Sequence, residues 1–115
     1  MDKLNLIVEM QKILMRRLGV QILNDQKNDV LIQEQTKNML FAICCELGEA
    51  GDEINWKPWK RTVKPVNLDL LRTELIDIFH FIIELMIMWG MDAEMIFLAY
   101  GDKMKENQAR QDRGY

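Results

Sequence analysis

Two pairs of acidic residues, each pair spaced three positions apart, lie in segments with helical patterning in this 115-residue chain. The first pair is Glu46 and Glu49, and the second is Glu74 and Asp77. Because residues three apart share one face of a helix, each pair presents two carboxylates together. If the two helices pack against each other, all four carboxylates meet. Like charges about 5 Å apart repel by about 3 kcal/mol at an effective dielectric near 20, so the cluster needs protons or a cation.

The donor set of this predicted cluster consists only of carboxylate oxygens. Oxygen ligands favour a hard ion, Mg²⁺ with Mn²⁺ as a possible substitute, over zinc. Such ions usually keep bound waters and bind substrate phosphates, so the acids predict a metal site for a phosphate-bearing substrate. The alternative is that these acids are solvated and pair with lysines. That alternative is weaker for Glu74 and Asp77, because the rest of their helix is apolar.

Cations that could bind a polyphosphate occur in two places. Residues 56–67, WKPWKRTVKPVN, include Lys57 and Lys60 and contain four cations but no acid. Lys103 and Arg110 lie near the C-terminus. Lysine and arginine are the usual protein partners of phosphate groups. Taken alone, a charged run such as 57–64 is more often a solvated loop, and its two tryptophans could stack on a base or simply pack.

Helices are the elements that must position these residues. The apolar periodicity predicts four of them. They cover about residues 3–23, a segment that starts near 30–34 and runs to 56, residues 69–89, and residues 93–107 or slightly beyond. Asn67 or Asp69 can cap the third helix and Asp92 the fourth, while Pro58 ends the second and Gly90 the third. Two prolines and six glycines are too few for the turns of an all-β sandwich. We therefore expect one all-α domain over residues 1–115, a bundle of four to five helices.

The third predicted helix is unusual because it is apolar almost all round. From Leu75 to Met91 the polar interruptions are Asp77, His80 and Glu84. A helix of this kind is buried on more than one side, and three other short helices would struggle to surround it. We therefore predict a homo-oligomer, a dimer or a tetramer. The alternative is a single, well-covered central helix.

Composition excludes several classes of protein. A net charge of −3 argues against a general binder of long nucleic acids. The apolar run is short for a membrane span and carries charges, and the N-terminus lacks the apolar core of a signal peptide. Cys44 and Cys45 are adjacent and cannot link distant segments, so we expect a reducing, cytoplasmic setting.

Four segments together resemble a known family, and they span nearly the whole chain. They are EMQKIL (9–14), ELGEAGDEINWKPWK (46–60), ELIDIFHF (74–81) and KMKENQARQDRGY (103–115). In this order they resemble the all-α nucleoside triphosphate pyrophosphatases, and most of all the dimeric, all-α dUTPases, with MazG-like and phage dCTPase proteins as relatives. The W-K-x-W-K loop, D-x-x-H-F and the N-x-x-R-Q-x-x-G-Y ending are the specific parts. A phage origin, with action in the host cytoplasm, fits so compact a version.

The resemblance implies roles for individual residues. The Mg²⁺ ligands of the family correspond to Glu46, Glu49, Glu74 and Asp77. Glu49 also corresponds to the residue that activates the attacking water. The residues that bind the nucleoside correspond to Gln11, Trp59, His80 and Phe81. The residues expected to bind the phosphates are Lys57, Lys60, Lys103, Asn107, Arg110 and Tyr115, and the tail at 108–115 is expected to close over these phosphates.

The activity implied by the resemblance is Mg²⁺-dependent hydrolysis of dUTP to dUMP and pyrophosphate. Two departures from the family pattern affect this expectation. Met104 follows the tail lysine where the family often has Asn, and Met15 stands where it often has Asn or Asp. Met15 weakens the case for uracil, so a MazG-like or dCTPase-like pyrophosphatase for another deoxynucleotide is the alternative. A second alternative is a catalytically silent helical oligomer that binds a nucleotide or a protein partner.

Overall fold

The computed structural model describes residues 2–23 and 29–114. Its helices are α1 (Lys3–Leu18), α2 (Asp29–Asp52), α3 (Leu68–Met88) and α4 (Ala93–Asp112). Over those two ranges the chain contains no strand, so the all-α prediction is confirmed. Most of the predicted polar connection at 24–29, and Tyr115, lie outside the described residues.

Side-chain caps and glycines fix the helix ends. Asp2, Asn67 and Asp92 cap α1, α3 and α4, and their side chains accept hydrogen bonds from backbone amides at 2.9, 3.1 and 2.8 Å. The prediction for the end of α1 was wrong: the helix ends at Leu18, because Gly19 adopts a left-handed φ of 72°. At the other end of the chain, α4 continues to Asp112, where the predicted end was residue 107 or slightly beyond.

The prediction for the end of α2 was also wrong. The helix ends at Asp52, well before Pro58. The amides of Glu53 and Ile54 then bond to carbonyls three residues back, at 3.1 and 3.2 Å, which is the tightened geometry of a helix terminus. In the connection that follows, the side chain of Asn55 bonds both the amide and the carbonyl of Lys64, at 3.0 and 2.8 Å. The connection is therefore a closed loop with its own polar link.

Two contacts show that α2 and α3 run antiparallel. Near the start of α2, the Thr36 hydroxyl lies 2.8 Å from Nε1 of Trp89, the C-cap residue of α3. Near the end of α2, Glu46 lies beside Glu74 in the first half of α3. The first half of each helix thus faces the second half of the other, which is the arrangement that brings the two acidic pairs together.

The core lies where α1 and the start of α4 pack against the second half of α3. Its buried apolar side chains are Val8, Met15, Ile83, Ile87, Met88 and Ala93. The segment that follows α1 lies against the end of α3, where the amide of Leu23 donates to the carbonyl of Met88 at 2.8 Å. The side chain of Gln35 bonds both backbone groups of Gln21, at 3.1 Å each, and holds this segment on α2.

A single chain leaves much of α3 uncovered. Leu75, Ile76, Phe79 and Ile82 are exposed, and two of them, Ile76 and Phe79, line an apolar pocket against α1. The radius of gyration is 17.7 Å, against about 13 Å for a compact domain of this length. The accessible surface of 9153 Å² compares with about 6,600 Å² expected for a folded monomer of this mass. None of the helices described is both long and apolar enough to cross a membrane.

Candidate active site

Three carboxylates from two helices converge on one point. Glu46 from α2, with Glu74 and Asp77 from α3, each place one carboxylate oxygen within 4.8 Å of the other two. The three-residue spacing puts Glu74 and Asp77 on one face of α3, and the antiparallel packing brings Glu46 opposite them. The structure therefore brings together three of the four predicted metal ligands.

Glu49 lies beside this group but is more exposed. Burial raises the pKa of Glu46, and the charges of Glu49, Asp77 and Glu74 raise it further. Burial also raises the pKa of Glu74, again with contributions from Glu49 and Asp77. The carboxylate of Glu49 thus acts on the charges of Glu46 and Glu74. The cluster carries more negative charge than its surroundings neutralise.

Two oxygen atoms in the cluster lack a hydrogen-bond partner among the described residues. Oε2 of Glu46 and Oε2 of Glu74 are buried and accept no hydrogen bond from the described part of the chain. Buried polar atoms are nearly always satisfied, so these two oxygens are available as acceptors to a cation or a ligand. The donors that converge here are oxygens, with no thiolate among the three residues. The residues present thus fit a hard divalent cation such as Mg²⁺ or Mn²⁺.

A cleft of about 590 Å³ extends from these carboxylates toward α1. Its lining combines an apolar wall with a few convergent polar groups, as expected of a small-molecule site. The lining residues are Gln11, Leu14, Leu18, Val20, Met39, Glu46, Asp77, His80, Phe81 and Glu84. Three of the four residues predicted to bind a nucleoside therefore share a cleft with two of the predicted metal ligands.

A chain of hydrogen bonds crosses this cleft from α1 to α3. Gln11 is only 5% exposed, and its Nε2 donates to Oε1 of Glu84 at 3.2 Å. Oε1 of Gln11 lies 2.9 Å from Nδ1 of His80. An amide oxygen only accepts, so in this contact Nδ1 of His80 is the donor.

Glu84 is the residue of this chain of bonds to which the sequence analysis gave no role. It is 5% exposed, and burial raises the pKa of its carboxyl, while the Gln11 hydrogen bond and the charge of His80 lower it. A signal was available in the sequence. An acid inside the apolar run 75–91 is costly unless a partner satisfies it, so its presence there indicates a polar site.

The tryptophan loop is not placed in this cleft. Trp59 is 68% exposed and packs edge-on against Trp56, with ring centroids 5.6 Å apart. Nζ of Lys57 lies over the ring of Trp56, 5.6 Å from its centroid. Lys57 and Lys60 line a separate concavity within the loop. Their predicted roles at the nucleoside and the phosphates stay predictions.

The predicted phosphate-binding residues of the tail are likewise not brought to the carboxylates within one chain. Lys103, Asn107 and Arg110 lie on α4, which packs mainly against α1. Nε of Arg110 pairs with Glu106 at 3.3 Å, and Arg113 pairs with the same carboxylate at 3.1 Å. Tyr115 lies beyond the described residues. A closing movement of residues 108–115 over phosphates stays a prediction.

Comparison with known proteins gives two curated relatives, both from phages. A dCTP pyrophosphatase of Enterobacteria phage LZ5 is 35% identical over 102 residues, which cover 78% of this chain and 59% of the relative. A dCTP pyrophosphatase of Enterobacteria phage T4 is 28% identical over an alignment of 144 positions. That alignment covers 99% of this chain and 83% of the relative. The chain thus spans less than two thirds of the first relative. No solved structure matches it significantly.

The dUTPase family profile matches residues 3–91. That range includes both acidic pairs and the whole Gln11, Glu84 and His80 network, whereas the tail lies outside it. The phage source of both relatives agrees with the expected phage origin. The resemblance found in the sequence is confirmed, and the chain belongs to the all-α dUTPase family.

Proposed function

We propose that this protein is a Mg²⁺-dependent pyrophosphohydrolase that converts a pyrimidine deoxynucleoside triphosphate to its monophosphate and pyrophosphate. One observation carries the proposal: the cleft with the polar pair Gln11 and His80 in its wall reaches Glu46. The buried Oε2 atoms of Glu46 and of the neighbouring Glu74 accept no hydrogen bond from the described residues. The family match and the names of the two relatives support the same activity.

Within this proposal the carboxylates and the cleft have separate tasks. Glu46, Glu74 and Asp77 would hold Mg²⁺, or Mn²⁺ in its place. The bound ion would supply charge neutralisation on the phosphate oxygens. Glu49 lies close to these acids but is exposed, so it can accept a proton from an attacking water. The apolar wall and Phe81 would pack against the sugar and base.

The base is either uracil or cytosine. The family description and the cleft positions of Gln11, His80 and Phe81 support dUTP. Two observations support dCTP. Both curated relatives are named for dCTP, and Met15 is fully buried in the core. The position where the family often has a polar residue therefore contributes no polar group to the cleft.

A substrate panel tests the proposal. Pyrophosphate release would be measured from dUTP, dCTP, dTTP and ATP with Mg²⁺, and again with excess chelator. Release from dUTP or dCTP that stops with the chelator supports a pyrophosphohydrolase and identifies the base. No release from a folded protein would overturn the enzyme proposal and favour a silent helical oligomer that binds nucleotide or a protein partner.

We also propose a homodimer or homotetramer. The exposed apolar side of α3 and the large accessible surface of one chain support self-association. Obligate interfaces bury about 2,000–5,000 Å² in total, which is enough to cover such a surface. The free, exposed cysteines Cys44 and Cys45 fit the proposed reducing cytoplasm, that of the host for a phage protein.

A further inference from the structure

We propose that Glu84 selects cytosine, by accepting a hydrogen bond from the exocyclic amino group of a deoxycytidine nucleotide in the cleft. The inference rests on the proposed function, since it assumes that phosphates bind at the carboxylate cluster. It goes further by assigning a specificity-determining residue and choosing between the two bases.

The position of Glu84 on α3 places it at the base end of the cleft. It follows Asp77 by seven residues, so it lies on nearly the same helix face and about 10.5 Å further along the axis. Both residues line the same cleft. With the phosphates held near Asp77, a nucleotide lying along α3 extends its base toward Glu84.

The surroundings of Glu84 leave its charge poorly satisfied. The side chain is 5% exposed and receives one hydrogen bond, from Nε2 of Gln11 at 3.2 Å. No lysine or arginine of the described ranges forms an ion pair with it. A carboxylate has about four acceptor sites, so most of its capacity is unused. A buried carboxylate in this state favours a ligand that brings a hydrogen-bond donor.

The hydrogen bonds of Gln11 determine which of its amide groups remains free to bind a ligand. Its Oε1 faces Nδ1 of His80, and one Nε2 hydrogen faces Glu84. The second Nε2 hydrogen is left to donate. Glu84 and Gln11 therefore present an acceptor beside a donor, a pattern that matches the amino group and N3 of cytosine. Uracil bound in the same position would direct its O4 acceptor at the carboxylate, which repels it.

The first test is the substitution Glu84→Gln. We expect kcat/KM for dCTP divided by kcat/KM for dUTP to fall by about tenfold or more, because the amide weakens acceptance from an amino group and can donate to O4. Glu84→Asp keeps the charge and should keep the direction of the preference. Glu34→Gln is the matched control, since Glu34 is exposed and pairs with Lys37, and its ratio should equal that of the wild type.

A probe that lacks the amino group separates base reading from a purely structural role. The triphosphate of 2-pyrimidinone deoxyriboside has hydrogen in place of the cytosine amino group. Wild-type protein should use it at least about tenfold less well than dCTP, and Glu84→Gln should lose most of that difference. If Glu84 only held Gln11 in place, its replacement would lower all substrates alike. That result, or a wild type that uses the probe as well as dCTP, overturns the inference.

Binding measurements distinguish failure of this inference from failure of the proposed function. Calorimetric affinities for dCMP and dUMP require no hydrolysis and would be compared in wild type and Glu84→Gln, with circular dichroism as the check on folding. If pyrophosphate release fails but the affinity ratio shifts toward dUMP in the variant, the hydrolase proposal falls and the role of Glu84 stands. An unchanged ratio, or no binding of either nucleotide, overturns the role of Glu84.

Discussion

The indole Nε1 of Trp89 donates a hydrogen bond to the hydroxyl of Thr36, 2.8 Å away, and joins the end of α3 to the first half of α2. The same hydroxyl donates to the carbonyl of Ile32 at 2.7 Å. This link lies at the opposite end of the helix pair from the carboxylates. One end of the α2 and α3 pair is thus held by the neutral hydrogen bond between Trp89 and Thr36. The other end brings Glu46, Glu74 and Asp77 together.

The substitution Thr36→Val tests that link. Valine keeps the shape of threonine but removes the acceptor of Trp89, so we expect the free energy of unfolding to fall by about 0.5–1.5 kcal/mol. Urea denaturation measures the change. Thr73→Val is the control, because the Thr73 hydroxyl bonds only within its own helix, to the carbonyl of Asp69 at 2.9 Å. Equal losses in both variants would show that the link between helices contributes nothing specific.

The substitution Glu49→Gln tests the proposed proton acceptor. The amide has the same shape but cannot take a proton from water, so turnover should fall by about 10²–10⁴-fold while the fold is retained. Pyrophosphate release with Mg²⁺ and circular dichroism measure the two effects. Glu53→Gln, four residues further along the chain, should keep its activity. Near-wild-type turnover by Glu49→Gln would exclude Glu49 from this role.

Added Mg²⁺ should stabilise the protein against heat. A ligand that binds only the folded state at about 100 times its dissociation constant adds about 2.7 kcal/mol. The gain should be smaller at low pH, because protons compete for Glu46 and Glu74, whose pKa values are raised. Thermal melting of wild type and Glu74→Gln, with and without Mg²⁺, measures it. If Mg²⁺ stabilised Glu74→Gln as much as it stabilises wild type, the Glu74 carboxylate would not be a ligand.

The stability of the protein should depend on pH through Glu84. Burial raises the pKa of Glu84 above its ordinary value of 4.5. A raised folded pKa means that proton binding stabilises the native state at pH below 4.5, and that this contribution is lost as pH rises through the folded pKa. Between pH 4.5 and the pKa of Glu84 in the folded protein, wild type should therefore lose stability relative to Glu84→Gln. Urea denaturation at a series of pH values measures the difference, and a constant difference would contradict it.

The exposed side of α3 should mediate self-association. Phe79→Glu places a charge in the middle of this apolar surface, so we expect a lower mass in solution than that of the wild type. Size-exclusion chromatography with light scattering gives the mass. Val63→Glu is the control, because Val63 is an exposed apolar residue of the loop after α2. A wild type that is already a monomer would rule out the proposed oligomer.

The carboxylate cluster could be predicted from sequence because it depends on two simple facts. A three-residue spacing puts Glu46 with Glu49, and Glu74 with Asp77, on one helix face each. The loop over residues 53–67 then lets the two consecutive helices pack as antiparallel neighbours. Neither fact requires knowledge of how α1 packs, whereas the role of Glu84 depends on its contact with Gln11 of α1.

Features that depend on tertiary register or on a single residue were harder to predict. The contact between Gln11 and Glu84 joins positions 73 residues apart in the chain, and no periodicity sets that pairing. The early end of α1 follows from the left-handed conformation of Gly19, which overrides an apolar pattern that continues to Leu23. Trp59 was assigned to the nucleoside, but in one chain it packs against Trp56.

Along α3, Asp77 and His80 face the cleft, and the exposed Ile76 and Phe79 lie beside them on the apolar surface that the proposed assembly would cover. The two surfaces share one backbone, so loosening the apolar surface would also move the acids. For the proposed assembly, activity per chain would then fall on dilution below the dissociation constant of the assembly. If the proposed function and assembly both hold, activity would therefore rise more steeply than the concentration of the chain.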